Sequence, residues 1–120
     1  MLRTGIDFIE IERIDRAILR HGDRFFNRFF TPQELIDAGG RTPALAARFA
    51  AKEAAAKAFG TGIGDIEWKE IEIERGERGE PSLRFTGKAA QLLAQLQVRE
   101  WSVSLSHTHE HALAVVVMVG

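Results

Sequence analysis

The 120-residue sequence contains no cysteine. That excludes disulfides, thiolate chemistry and cysteine-ligated zinc, and it suits a reducing compartment. It also lacks any long apolar run: the longest, ALAVVVMV from Ala112 to Val119, is far too short to span a bilayer. Arg3, Asp7, Glu10 and Glu12 leave no apolar signal-peptide core in the first segment. Strong net charge is absent too. At −1, bulk electrostatics predict no general attraction to nucleic acid or membrane, and a charged partner must be met by a local patch. Repeats, low-complexity tracts and dividing linkers are missing. A soluble cytoplasmic protein with a single domain over residues 1–120 is expected.

Apolar residues at 45% and charged residues at 28% argue for a packed core over disorder. RTGIDFIE (3–10) reads as a strand. Ile11, Ile14 and Ile18 recur at helical spacing over 11–21. Gly22 interrupts, and a second helical piece can begin at Asp23. Thr31-Pro32-Gln33-Glu34 has the form of a helix start, with Thr31 as N-cap, and Gly39-Gly40 of its end. From Thr42-Pro43, LAARFAAKEAAAKAF runs as helix to Gly60. The second half turns to strands: WKEIEIER (68–75) and PSLRFTG form one hairpin across Gly76–Gly79. GKAAQLLAQLQ (87–97) is a short amphipathic helix. WSVSLSH and ALAVVVMV form a second hairpin across THEH. The expected class is α+β, a mostly antiparallel sheet packed with a long central helix.

That central helix carries Leu45, Phe49, Ala56 and Phe59 on one face and Ala47, Ala50, Ala54 and Ala58 on another. Lys52 falls inside the apolar stripe and Glu53 at its edge. Charges on a helix covered on several sides are costly unless paired or used. A plain reading gives Glu53 and Lys57 an i,i+4 ion pair of roughly 0.2–0.5 kcal/mol. GTGIG (60–64) ends the helix. It is either a C-cap with a loop or a backbone that approaches a phosphate, though it precedes no helix N-terminus. Asp7 inside an apolar strand is unusual for a carboxylate. If it meets Glu53, the two oxygen donors suit Mg²⁺, which is held by one or two carboxylates plus phosphates and water. Arg13, Arg16 and Arg20, continuing to Arg24, line the side of the first helix opposite the isoleucines. They are either a solvated face or a docking strip for an acidic surface.

SHTHEH (106–111) alternates three histidines, as a zinc site on a straight strand would. The second hairpin has to turn there, which breaks the alternation. His109 and His111 are therefore expected to be exposed turn residues.

In order and spacing, these pieces resemble the holo-[acyl-carrier-protein] synthases, the small 4′-phosphopantetheinyl transferases, over nearly the whole chain. GIDFIEIERI is similar to G-[IL]-D-[IL]-x-E-[IL]-x-R-[IL]. RFFNRFFTPQEL is similar to R-F-x-x-R-[IVF]-[FL]-T-x-x-E-L. RFAAKEAAAKAFGTGIG resembles R-[FW]-A-x-K-E-A-x-x-K-A-[FLM]-G-T-G-[IL]-[GR]. WKEIEIERGERGEPSL and VSLSHTHEHALAVVVM resemble the two hairpins that follow.

The resemblance implies transfer of phosphopantetheine from coenzyme A to a serine of apo acyl carrier protein, with release of 3′,5′-ADP. It implies Mg²⁺ on Asp7 and Glu53, and Lys57 beside the CoA phosphates. Glu53, through a metal-bound water, is the implied proton acceptor. Gly60, Thr61 and Gly62 are implied to approach the nucleotide. Arg48, Pro81, Ser106, His107 and Thr108 are implied nucleotide and 3′-phosphate contacts, with Arg48 reaching a neighbouring subunit's site. Arg13, Arg20 and Arg24 are implied contacts for the carrier, and the implied assembly is a homotrimer. The alternatives are a non-catalytic module of the same fold that binds CoA or a carrier protein, and a zinc hydrolase using the histidines.

Overall fold

The computed structural model describes residues 1–60, 64 and 66–120. The chain runs β1 (Leu2–Glu10), α1 (Ile11–His21), α2 (Asp23–Phe29), α3 (Pro32–Ala38) and α4 (Thr42–Phe59). A single 3₁₀ turn (Trp68–Glu70) then leads to β2 (Ile71–Arg75), β3 (Pro81–Phe85), α5 (Gly87–Gln95), β4 (Glu100–His107) and β5 (His111–Val119). The α+β class and the long central helix are as the sequence predicts. Trp68 is the exception. It alternates like a strand residue, but Glu67 and Glu70 form a reciprocal capping box around it, so the strand starts only at Ile71.

Local chemistry sets the helix ends. Thr31 Oγ1 accepts from the Glu34 amide at 3.2 Å, and Glu34 Oε1 accepts from the Thr31 amide at 2.9 Å, which completes the capping box of α3. Gly60 closes α4 with φ of +85°, a left-handed conformation that costs glycine little.

β1, β5 and β4 form an antiparallel sheet in that order, with Asp7 opposite Ala114 and Leu105 opposite Ala114 on the other side. β2 and β3 pair separately. The Trp101 indole on β4 donates to the Leu83 carbonyl on β3 at 2.8 Å and ties the two sheets together. One face of the large sheet, with Ala112, Ala114, Val116 and Met118, is fully buried against α4. Helix and sheet touch closely because both present small residues. A Cβ at Gly5 would run into the Ala54 carbonyl, and Ala50, Ala51, Ala54 and Ala55 have no exposure.

The opposite face of the sheet is different. Leu2, Ile6 and Phe8 on β1 are 68%, 58% and 63% exposed, and Val119 on β5 is also exposed. Leu113, Val115 and Val117 are only partly covered. A monomer this small rarely leaves so continuous an apolar face in water.

Candidate active site

β1 and α4 bring three of the expected residues together. Asp7 lies on the face of β1 turned toward α4, since it shares a side with buried Gly5 and Ile9. Lys57, near the end of α4, donates to Asp7 Oδ1 at 3.0 Å and to the Ile6 carbonyl at 2.9 Å. Its ammonium is thus bound to β1, and the i,i+4 pairing with Glu53 read from the sequence gives way to it. Glu53 sits half-buried one turn earlier. Its carboxyl is pushed above the usual range, first by burial, then by the negative charge of Asp7, against the pull of Lys57 and Arg13.

Two neighbouring carboxylates, one of them half-buried, with one lysine to offset them, form a donor set that a hard divalent cation relieves. The residues therefore fit Mg²⁺. Among the described residues, no group of three or more His, Asp or Glu is disposed to hold a metal, so such an ion would depend on other oxygen donors as well.

A groove of about 380 Å³ opens elsewhere on the same helix. It collects Arg48, Pro81 and His107, three of the expected nucleotide contacts, and adds Arg41 and Arg75. Arg48 is almost completely buried. One of its terminal nitrogens donates to the Ala44 carbonyl at 3.1 Å, while its Nε is buried with no partner among the described residues. Burial disfavours its charge and so do Arg75 and Arg41, while Asp37 and Glu34 oppose them. Three arginines outnumber the lining carboxylates Asp37 and Glu74, and with an unspent buried donor they suit an anion, since guanidinium geometry fits phosphate oxygens.

Arg41 and Arg75 went unnoticed in the sequence. The i,i+7 spacing of Arg41 and Arg48 was a usable signal, whereas Arg75 reaches the groove only through the hairpin. Arg3 was also missed: its guanidinium donates to the Phe59 carbonyl at 3.1 Å and holds the end of α4.

Other expected residues are dispersed. Gly60 caps α4, while Thr61 and Gly62 lie outside the described residues. None of Asp7, Glu53, Lys57 and Gly60 lines the arginine groove. Ser106 is on the face of β4 opposite to His107, by strand alternation. Thr108 serves the turn, its hydroxyl accepting from the amides of Glu110 and His111 at 3.3 and 3.1 Å. The turn breaks the histidine alternation as expected. His109 is exposed, but His111 begins β5 and stacks on Phe8 at 4.6 Å, so it is not an exposed turn residue. Arg13, Arg20 and Arg24 are exposed on α1 and α2, with Leu19 among them at 86%. Arg16 is engaged with Glu12 at 2.8 Å.

The sequence matches the model of the 4′-phosphopantetheinyl transferase superfamily over residues 3–116. The chain belongs to that superfamily. Within it, the chain is 46% identical to the holo-[acyl-carrier-protein] synthase of Herpetosiphon aurantiacus, with all of both chains aligned. It is 47% identical to that of Moorella thermoacetica, over 98% of this chain and 94% of the relative. Among solved structures, the Neisseria meningitidis holo-[acyl-carrier-protein] synthase superposes with a TM-score of 0.90 at 35% identity, covering 98% of each chain. The Helicobacter pylori synthase in complex with coenzyme A superposes at 0.89 with 29% identity, over 97% of this chain and 99% of that one. The sequence resemblance and the α+β architecture therefore agree on one group of transferases.

Proposed function

We propose that this chain transfers 4′-phosphopantetheine from coenzyme A to a serine of apo acyl carrier protein. The serine hydroxyl oxygen forms a bond to the diphosphate phosphorus that carries pantetheine. The bridging bond from that phosphorus breaks, 3′,5′-ADP leaves, and the hydroxyl proton is lost to a base. The convergence of Asp7, Glu53 and Lys57 where β1 crosses α4 carries this reading, because two carboxylates able to hold a divalent cation beside a lysine would gather positive charge for a diphosphate, and the hydroxyl needs an acceptor.

Asp7 and Glu53 would hold Mg²⁺, whose chemistry is neutralisation of the diphosphate charge. Lys57 adds a fixed ammonium, oriented by the Ile6 carbonyl and Asp7. Glu53, acting through a water, would be the proton acceptor. Arg48, Arg41, Arg75 and His107 take the 3′-phosphate and nucleotide end, with Pro81 forming part of the wall. Gly60, at the end of α4, would approach the nucleotide by its backbone, while Thr61 and Gly62 lie outside the described residues.

The apolar outer face of the large sheet supports a homotrimer built on Ile6, Phe8, Val115 and Val117. An assembly of that kind also accounts for a groove and a carboxylate pair that do not share lining residues, since one protomer's groove would complete its neighbour's site. Arg13, Arg20 and Arg24 dock the acidic carrier, with no need for a basic protein overall. Arg13 is close enough to Glu53 to lower its proton affinity slightly, which supports a docking strip beside the chemistry. No helix among the described residues is long and apolar enough to cross a membrane. We place the protein in the cytoplasm, serving the carrier of fatty-acid synthesis.

Incubation with CoA, Mg²⁺ and apo carrier protein tests the reading, with carrier mass as the readout. The expected result is a phosphopantetheine-sized gain that EDTA abolishes. An unchanged mass with several apo carriers would refute the transfer.

A further inference from the structure

Lys52 and Glu34 have no exposure at all, yet both are charged residues. Lys52 Nζ donates to Glu34 Oε1 at 2.8 Å, to the Trp68 carbonyl at 3.1 Å and to the Ile71 carbonyl at 2.5 Å. These three acceptors use all three ammonium protons. Glu34 Oε1 also accepts from the Thr31 amide, and its Oε2 accepts from the Ile73 amide at 2.9 Å. One buried pair therefore fastens α4 to the start of α3, to the 3₁₀ turn and to β2. It joins the helices before residue 60 to the segments from Trp68 onward.

The surroundings explain why such a fastening is needed. The face of α4 against β1 and β5 is built of alanine and meets Gly5. Small side chains allow close approach but interlock little, so they do not by themselves fix a helix against sliding or rotation. Lys52 is the neighbour of Glu53 and lies five residues before Lys57, so any rotation of α4 at Lys52 displaces both from Asp7. Buried polar pairs are best attested as devices that set register.

We propose, resting on the function above, that Lys52 and Glu34 are positioning residues. They set the register of α4 against β1 and thereby the placement of Glu53 and Lys57 relative to Asp7. Neither touches substrate.

The test compares the wild type with Glu34→Gln/Lys52→Met, a neutral pair of similar volume. Leu93→Ala, a core truncation on α5, serves as a control for instability alone. All are assayed well below their melting temperatures. The double variant should lose at least about ten-fold in kcat, with the KM for CoA within about two-fold of wild type. Its amides from Glu53 to Ala58 should exchange about ten-fold faster than those of Leu93→Ala, a readout independent of metal and substrate. Wild-type kcat and exchange in the folded double variant would overturn the proposal, and so would an equal kcat loss in Leu93→Ala. If the neutral pair does not fold, Glu34→Asp takes its place, keeping the charge but not the reach, and the same pattern is required of it. Absence of transfer by the wild type would instead count against the proposed function.

Discussion

Lys57 reaches across to Asp7, fifty residues away in sequence, and leaves Glu53, four residues back on its own helix, without that partner. The cross-chain contact wins because β1 offers two acceptors at once, the Asp7 carboxylate and the Ile6 carbonyl. An exposed i,i+4 pair offers one, worth a few tenths of a kcal/mol at best. The result is a lysine held at the strand and a glutamate whose oxygens stay available. Asp7→Asn and Glu53→Gln should each retain the fold and reduce phosphopantetheine transfer by at least about a hundred-fold, an effect of the size expected when a group acting in the transition state is removed. Carrier mass over time measures this, and near-normal rates in the double variant would refute the two-carboxylate assignment.

The same pair predicts a pH dependence of stability. Folding raises the proton affinity of Glu53, by burial first and by Asp7 second. The native state then holds its proton more tightly than the unfolded chain. This contribution is fully present below the ordinary carboxylate range and is lost as pH rises through the raised native value. Between about pH 4 and pH 7 the wild type should therefore lose denaturant resistance relative to Glu53→Gln. Added Mg²⁺ should stabilise the wild type more at the upper end of that range than at the lower. Parallel pH profiles for the two proteins would show that Glu53 is not the responsible group.

Close packing of β1 on α4 makes a third, purely structural prediction. A methyl group at Gly5 has no room against the Ala54 carbonyl. Backbone atoms cannot swing aside as a side-chain tip can, so helix and strand must separate. Gly5→Ala should cost about 1–3 kcal/mol, the usual range for overpacking. It should also weaken transfer, because Asp7 is two residues along the strand. Chemical denaturation reads the first effect, and an unchanged midpoint would mean that the contact is looser than described.

These cases show what the sequence could and could not convey. The Thr31–Glu34 capping box, the glycine stop at Gly60 and both hairpins were legible because they depend on neighbours within a few residues. Lys52 was visible as a charge in an apolar stripe, but its partner was not: Glu34 lies eighteen residues earlier and already had a local role in the capping box of α3. One carboxylate serving both tasks has no local signature. The family pattern supplied Asp7, Glu53 and Lys57 as a set, whereas helical spacing alone favoured the wrong partner for Lys57. Arg75 and the stacking of His111 on Phe8 depend on how strands are laid side by side, which periodicity does not encode.

The outer sheet face gives a prediction about assembly. Ile6, Phe8, Val115 and Val117 lie on one side of adjacent strands, opposite to the buried side. Association that covers them removes apolar area at about 25 cal/mol per Å². Phe8→Asp with Val115→Asp should convert a trimer to monomers in sedimentation or light-scattering measurements. Because the groove and the carboxylate pair share no lining residues, transfer should fall with assembly. A monomeric wild type, or a monomeric variant at full activity, would refute the shared-site reading.

The arginine groove yields the most specific prediction, since it separates binding from chemistry. Arg48, Arg41, Arg75 and His107 converge there, and Arg48 keeps a buried nitrogen without a partner among the described residues. If they hold the 3′-phosphate, removing either the phosphate or the guanidinium should cost the same interaction. Wild type should therefore prefer CoA over 3′-dephospho-CoA by about ten- to a hundred-fold in kcat/KM, the scale of one or two charge-assisted hydrogen bonds. Arg48→Met should raise the KM for CoA by a similar factor and leave kcat close to wild type, because the contact is made equally in the ground and transition states. The variant should also lose the preference, treating the two nucleotides almost alike. Undiminished discrimination in Arg48→Met would assign the phosphate to other residues, and a fall in kcat at unchanged KM would move Arg48 from the binding groove to the chemical step.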